Sequence, residues 1–396
     1  MPGSALYQVR VDLTSFSTQC SCPSRKLPCK HSLGLLFLAA GSPGEFIEGE
    51  PPEWVNTWLK KRAATQKRQE TLASKDEQST TSNKKASQSK DKRQAKVQRG
   101  IEQLDLWLND LMRNGLGSVE SLPTTFWEQQ AAQMVDAQAS GLAARIRALE
   151  DIPNASKTWT AKLLAQLGKL ALLTEAYQQL ERANPDLQEE IRQLIGWTVK
   201  EPEVIERGTH ITDDWLFLGQ RQESLHQRGR SQRTWLWGTR TRRSSYILQF
   251  AFAGASYTEH YPLGFHQEAE IACWPGAFAQ RALFIHRQSS VQPMQTTLPG
   301  VDSINAFLAD VASQLTQQPW QERFLCILNQ ASPIYDEEKR SWYLGDQQGN
   351  ALPLTPTDHW KMLAISGGYP VDFAGEWDGE TLFPFGIMVD QHYHVL

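Results

Sequence analysis

The spacing of apolar residues changes three times along the chain. From Tyr7 to Leu13 apolar and polar positions alternate, the period of a half-buried strand. From Ile101 the period lengthens. Ile101, Leu104, Leu108, Leu111 and Met112 recur at helical spacing, and Asn114-Gly115 closes the run. Phe126–Ala137, Gly141–Leu149, Ala161–Leu180 and Asp186–Ile195 continue the helical pattern, and the leucines of Ala161–Leu180 need burial on several sides. After Gly196 the apolar runs shorten to Trp215-Leu216-Phe217-Leu218, Thr234-Trp235-Leu236-Trp237, Tyr246–Phe250 and Ala282–Ile285, with turn residues between them. This spacing predicts an antiparallel sheet. Ile304–Leu315 reads as an amphipathic helix. Phe324–Leu328, Trp342–Leu344, Ala351–Leu354, Met362–Ser366 and Phe385–Val389 read as further strands, with a hairpin turn at Asp346-Gln347-Gln348-Gly349.

One stretch breaks the rhythm. Lys60 to Arg99 is Lys, Arg, Gln, Ser, Thr and Ala with hardly an apolar anchor, so it is expected to be a flexible linker or a loose helix. The chain then divides into residues 1–59, a basic linker over 60–100, a helical bundle over 101–198 and a β-rich region over 199–396, closing as a small barrel or curled sheet. The fold class is α+β and multidomain.

Charge sharpens that division. The net charge is −4, yet Lys60–Gly100 holds thirteen Lys and Arg against four acidic residues. No run of 18 or more apolar residues exists, so no membrane span is expected. The first residues lack the apolar core of a signal peptide, and the cysteine usage described next suits a reducing cytoplasm.

Of five cysteines, three fall in Cys20-Ser21-Cys22-Pro23-Ser24-Arg25-Lys26-Leu27-Pro28-Cys29-Lys30-His31, with a histidine beside them. Residues two apart in extended backbone face one side, so Cys20 and Cys22 can address one ion, and Cys29-x-His31 returns to it. Three thiolates and one imidazole make the closed shell of a structural zinc site. Arg25, Lys26 and Lys30 offset its negative charge. A disulfide with a spare thiol, or a redox CxC pair, would use the same residues. Ser32–Ala40 reads as a short helix closed by Gly41. A unit this small needs its metal to stay folded.

CxC, a six-residue gap and CxH, preceded by Tyr7-Gln8-Val9-Arg10-Val11 and followed by an apolar helix, resemble the SWIM zinc finger over residues 5–40. The resemblance implies a ββα finger holding Zn2+ through Cys20, Cys22, Cys29 and His31, and binding DNA or a protein. The strings Met134–Ala139, Leu194–Thr198, Arg233–Gly238 and Gly375–Gly379 are similar to the bodies of bacterial SWIM-finger proteins that accompany MoxR-type AAA ATPases and von Willebrand A-type proteins. That likeness implies an adaptor working with an ATPase. If the finger binds nucleic acid, Arg25, Lys26, Lys30, Lys60, Lys61 and Arg62 are the expected phosphate contacts.

Other chemistry is weaker. Arg228, Arg230, Arg233, Arg240, Arg242 and Arg243 interleave with Trp235 and Trp237, which would suit single-stranded nucleic acid. The plainer expectation is a hairpin with its tryptophans inward and its arginines in water. Gly375-Glu376-Trp377-Asp378-Gly379 offers carboxylates without a partner base, and His392-Tyr393-His394 two imidazoles on one strand face. Cys273 and Cys326 sit in apolar runs and are expected to be buried thiols. No phosphate loop, GxGxxG, GxSxG or HExxH motif is present, so the expected protein is not an enzyme and no small-molecule substrate is indicated.

Overall fold

The computed structural model describes residues 7–12, 17–22, 29–42, 46, 49–58, 82–225, 229–252, 255–295 and 297–396, with 12, 17 and 82–90 as backbone only. It forms two compact units. The first takes its described residues from Met1–Ser79, Arg221–Arg233 and Leu248–Pro262, and the second from Thr80–Gln220, Thr234–Ile247 and Leu263–Leu396.

In the first unit, β1 (Val9–Asp12) and β2 (Ser17–Cys20) form an antiparallel hairpin that pairs Val9 with Cys20. Helix α1 (Lys30–Gly41) packs against both strands. Residues 53–58 form a short helical turn. The Arg10 guanidinium lies 5.3 Å from the Trp54 ring centroid and 5.7 Å from that of Trp58, and donates to the Trp54 carbonyl at 2.7 Å. Those two tryptophans, at helical spacing, thus close one side of the hairpin.

The second unit opens with α2 (Ser82–Asn114), followed by α3 (Thr124–Asp136), α4 (Ser140–Ala148), α5 (Trp159–Gln178) and α6 (Pro185–Ile195). The stretch expected to be a linker therefore splits. Residues 60–81 lie outside the described ones, while 82–100 are already helical. Lys, Gln, Arg and Ala are strong helix formers, and the packed part of α2, where Val97, Ile101 and Leu104 are fully buried, anchors what precedes it. Asn184 caps α6, its Oδ1 accepting from the Leu187 N–H at 2.8 Å. Arg93 pins the corner of the bundle. Its guanidinium stacks 4.1 Å from the Trp197 ring centroid and donates to the Gly196 carbonyl at 3.0 Å.

Two close approaches in the bundle invite tests. A Cβ on Gly141 of α4 would strike the Leu194 carbonyl oxygen and come within 2.9 Å of the Ile195 carbonyl carbon of α6. Gly141→Ala is expected to destabilise the bundle by about 1–3 kcal/mol through overpacking, read as a lowered urea midpoint. The second is Glu190 of α6, which accepts from the Gln318 side chain and lies against Gly276. Burial pushes its carboxyl up to about 7. The native state then holds a proton that the unfolded chain has released, so stability falls as pH rises from about 4.3 to 7 and levels off above. Glu190→Gln is expected to remove that slope and to raise stability at pH 8, measured by chemical denaturation across pH.

After α7 (Glu201–Arg207) come β3 (Thr209–Leu225), β4 (Gly229–Gly238), β5 (Arg243–Phe252), β6 (Phe265–Cys273), β7 (Arg281–Arg287) and β8 (Gln292–Pro293). Their sheet runs β3-β4-β5-β7-β6-β8, and an added β3–β6 pairing closes five of the strands into a barrel. Helix α8 (Ile304–Gln317) leads to a second sheet built from β9 (Phe324–Asp336), β10 (Ser341–Gly345), β11 (Ala351–Pro353), β12 (Val371–Trp377), β13 (Leu382–Val389) and β14 (His392–Val395). Its order is β11-β10-β9-β12-β13-β14, antiparallel throughout.

The sheets meet over Leu216, Leu218, Trp235, Leu325, Ile327 and Phe385. Trp320, just after α8, instead joins the core of the helical bundle, its indole N–H donating to the Lys169 carbonyl at 2.9 Å. Met362–Ser366, read above as a strand, is part of a helix, α9 (Trp360–Ser366), closed by Gly367 at φ 62°. A run this short carries too few turns for its period to separate strand from helix, and Met362 and Ser366, four apart, are both buried.

Candidate metal centre

The ends of three elements build the cluster. Cys20 is the last residue of β2 and Cys22 lies two residues beyond it. Cys29 is the N-cap of α1, with extended backbone (φ −77°, ψ 165°), and His31 stands in that helix's first turn. One ligand atom from each of the four lies within 4.8 Å of all the others, the one such group of Cys, His and carboxylates among the described residues. His31 turns Nδ1 toward the sulfurs, 3.8 Å from Cys20 Sγ and 4.0 Å from Cys29 Sγ. Zinc–sulfur bonds of about 2.3 Å and zinc–nitrogen bonds of about 2.0 Å give tetrahedral edges of roughly 3.5–3.8 Å, so donor set and spacing both fit zinc.

The surroundings favour thiolate. Ser32 is fully buried, three residues along the helix from Cys29, with Oγ 3.4 Å from Cys29 Sγ. A thiolate can only accept here, so the hydroxyl donates. That hydrogen bond, helped by the Ser32 backbone N–H, brings the Cys29 thiol down to about 6. Burial moves the Cys20 thiol the other way, upward. The N-terminal end of α1, with its unpaired N–H groups, favours the negative charge of a three-thiolate site. On the outer side the Tyr7 ring lies 4.8 Å from the imidazole of His31 and holds its plane.

Residues 7–40 match the SWIM zinc finger family. The chain contains a SWIM zinc finger. Residues 92–195 match the SWIM-associated four-helix bundle domain, the region occupied here by α2 to α6. No curated protein and no solved structure matches the chain. In the SWIM finger a bound zinc would tie hairpin to helix, with Cys20, Cys22, Cys29 and His31 supplying its whole shell. Ser32 was not singled out by the motif, and Tyr7 was read there only as the start of the first strand. The three-residue step from Cys29 to Ser32 is the signal that could have found the serine.

The phosphate contacts expected from sequence are mostly outside the described residues: Arg25, Lys26, Lys60, Lys61 and Arg62. Lys30 is exposed at the start of α1. Among the interleaved arginines and tryptophans, Trp235 is fully buried while Arg230, Arg240, Arg242 and Arg243 are exposed, the plainer hairpin arrangement. Arg228 lies outside the described residues. Glu376 is fully buried and accepts from the Trp235 indole N–H at 2.7 Å, with Arg323 Nε 3.5 Å from its other oxygen. That is an internal ion pair of the sheet core. His392 and His394 stand on β14 and join no metal-ligand group among the described residues. Cys273 and Cys326 are fully buried. No described helix is long and apolar enough to cross a membrane.

Proposed function

We propose that the SWIM finger is a non-enzymatic docking module for a protein partner, held in shape by zinc. One observation supports this above the others. Helix α1 begins at the metal site and turns Leu33, Phe37 and Leu38 outward, Phe37 being 73% exposed. Large apolar side chains clustered on the open face of a metal-ordered helix are the usual anchors of a protein interface. The likeness to bacterial proteins that accompany MoxR-type ATPases makes such an ATPase, with its von Willebrand A-type companion, the first partner to test. Phe37→Asp is expected to weaken capture of that partner tenfold or more, about 1.4 kcal/mol, with zinc content unchanged. Equal capture by the variant would count against this face.

Nucleic-acid binding is a second reading, favoured by the thirteen Lys and Arg against four acidic residues between Lys60 and Gly100. Its signature is salt. DNA affinity carried by several phosphate contacts should fall on the order of a hundredfold or more between about 50 and 200 mM salt. A flat response would reject it.

A further inference from the structure

Helix α5 is apolar on more sides than its own fold covers. Leu163, Leu167, Leu170, Leu173 and Tyr177 are buried in the bundle core. On the opposite side, at steps of three and four, stand Ala161, Leu164, Ala165, Gly168, Ala171 and Leu172. All six are exposed, Leu164 at 48% and Leu172 at 46%. No polar residue interrupts that face from Ala161 to Leu172, roughly 17 Å of helix at 1.5 Å per residue. A helix that is apolar all round belongs in an interior. Gly168 stands at the centre of the open face. Beyond its own helix, no atom lies within 4 Å of the place that a Cβ would take. Glycine inside a helix lowers its stability relative to alanine, and no packed neighbour among the described residues requires it here. The backbone of a second helix pressed against this face would.

The face is its own complement. Counting outward from Gly168, three residues either way is alanine (Ala165, Ala171) and four either way is leucine (Leu164, Leu172). Reversing the helix therefore lays the pattern on itself, as a two-fold contact between identical chains demands. Charge obeys the same reversal. Lys157 precedes the face, Glu175 and Glu181 follow it, and all three are exposed. An antiparallel pair sets the basic end of each helix beside the acidic end of the other, whereas a parallel pair would bring like charges together. We infer that α5 pairs with α5 of a second copy of this chain, antiparallel about a two-fold axis at Gly168. Leu164 of one chain then meets Leu172 of the other, and the two glycines let the backbones approach. Six apolar positions a side fall well short of the roughly 20–30 residues of a standard interface, so the dimer is weak and exchanges with the monomer. The finger and its exposed Phe37 take no part, and the pairing stands or falls independently of the docking function.

The test is sedimentation equilibrium of the full zinc-loaded chain between about 1 and 200 μM. The mass is expected to rise from that of one chain, 44.8 kDa, toward twice that value. Leu164→Glu and Leu172→Glu place charge at exposed positions in a residue that favours helix. Each should weaken self-association tenfold or more and leave the urea midpoint unchanged. Gly168→Leu adds apolar surface where the chain itself has open space, and should also weaken the dimer tenfold or more. Unspecific apolar association would instead be strengthened by it. Lys157→Glu alone should weaken the dimer, and adding Glu175→Lys and Glu181→Lys to it should recover the affinity. Phe37→Asp should leave self-association as it is. A single-chain mass throughout, a dimer unmoved by both leucine substitutions, a dimer strengthened by Gly168→Leu, or one abolished by Phe37→Asp would overturn the proposal.

Discussion

Cys29→Ser should take the zinc content of the chain from about one ion to near zero and unfold the finger while leaving the helices and sheets intact. The expectation rests on where Cys29 stands. It is 1% exposed, begins α1 as its N-cap, accepts from Ser32, and lies 4.0 Å from the ligating nitrogen of His31. Serine keeps the size and loses the thiolate, the soft donor that zinc prefers in closed sites. Structural zinc contributes on the order of 10–16 kcal/mol to units of this kind, far beyond what a two-stranded hairpin and one helix could supply from apolar burial. Metal analysis of the purified variant, with proteolysis over residues 7–42, checks both halves. Stoichiometric zinc in the variant would remove Cys29 from the shell. Ser32→Ala provides a graded companion, retaining zinc but releasing it more readily on acidification, because the Cys29 thiol loses the contact that lowers it most.

Glu376→Ala should cost about 3 kcal/mol in the unfolding of the two sheets. The carboxylate is fully buried between β12 and β4, where one oxygen accepts from the Trp235 indole and the other faces Arg323. Alanine leaves the buried Trp235 N–H without its acceptor, removes the carboxylate that faces Arg323 and opens a cavity in the shared core. Glu376→Gln retains an acceptor for Trp235 and should cost less than half as much. The measurement is urea denaturation followed by tryptophan fluorescence. A loss under about 1 kcal/mol for the alanine variant would mean that the pair contributes little to the fold.

The residues that were easiest to read from sequence are those whose spacing does the chemistry. Cys20 and Cys22 could be assigned because a two-residue step in extended chain implies a shared point, and Cys29-x-His31 completes the donor set from the first turn of α1. The helices from Ile101 onward were likewise visible, since Ile101, Leu104, Leu108 and Leu111 repeat over several turns and all four are buried. What escaped depends on long-range packing. Residues 82–100 have almost no apolar period of their own and are helical because α2 is anchored further along. Residues 362–366 were too few to show a period. Glu376 reads in the sequence only as a carboxylate without a partner base, and its partner in the fold is Trp235, 141 positions away. Sequence spacing cannot announce a partner at that separation.

Trp320 carries one more lesson. The recognisable SWIM-associated segment stops at residue 195, yet one ring of its packed interior is supplied from 125 positions downstream. A gene fragment trimmed to the matched stretch would therefore be produced with a gap in its middle and an apolar hole open to water. Anyone grafting this module into another protein would need to bring the downstream plug along, or fill its place.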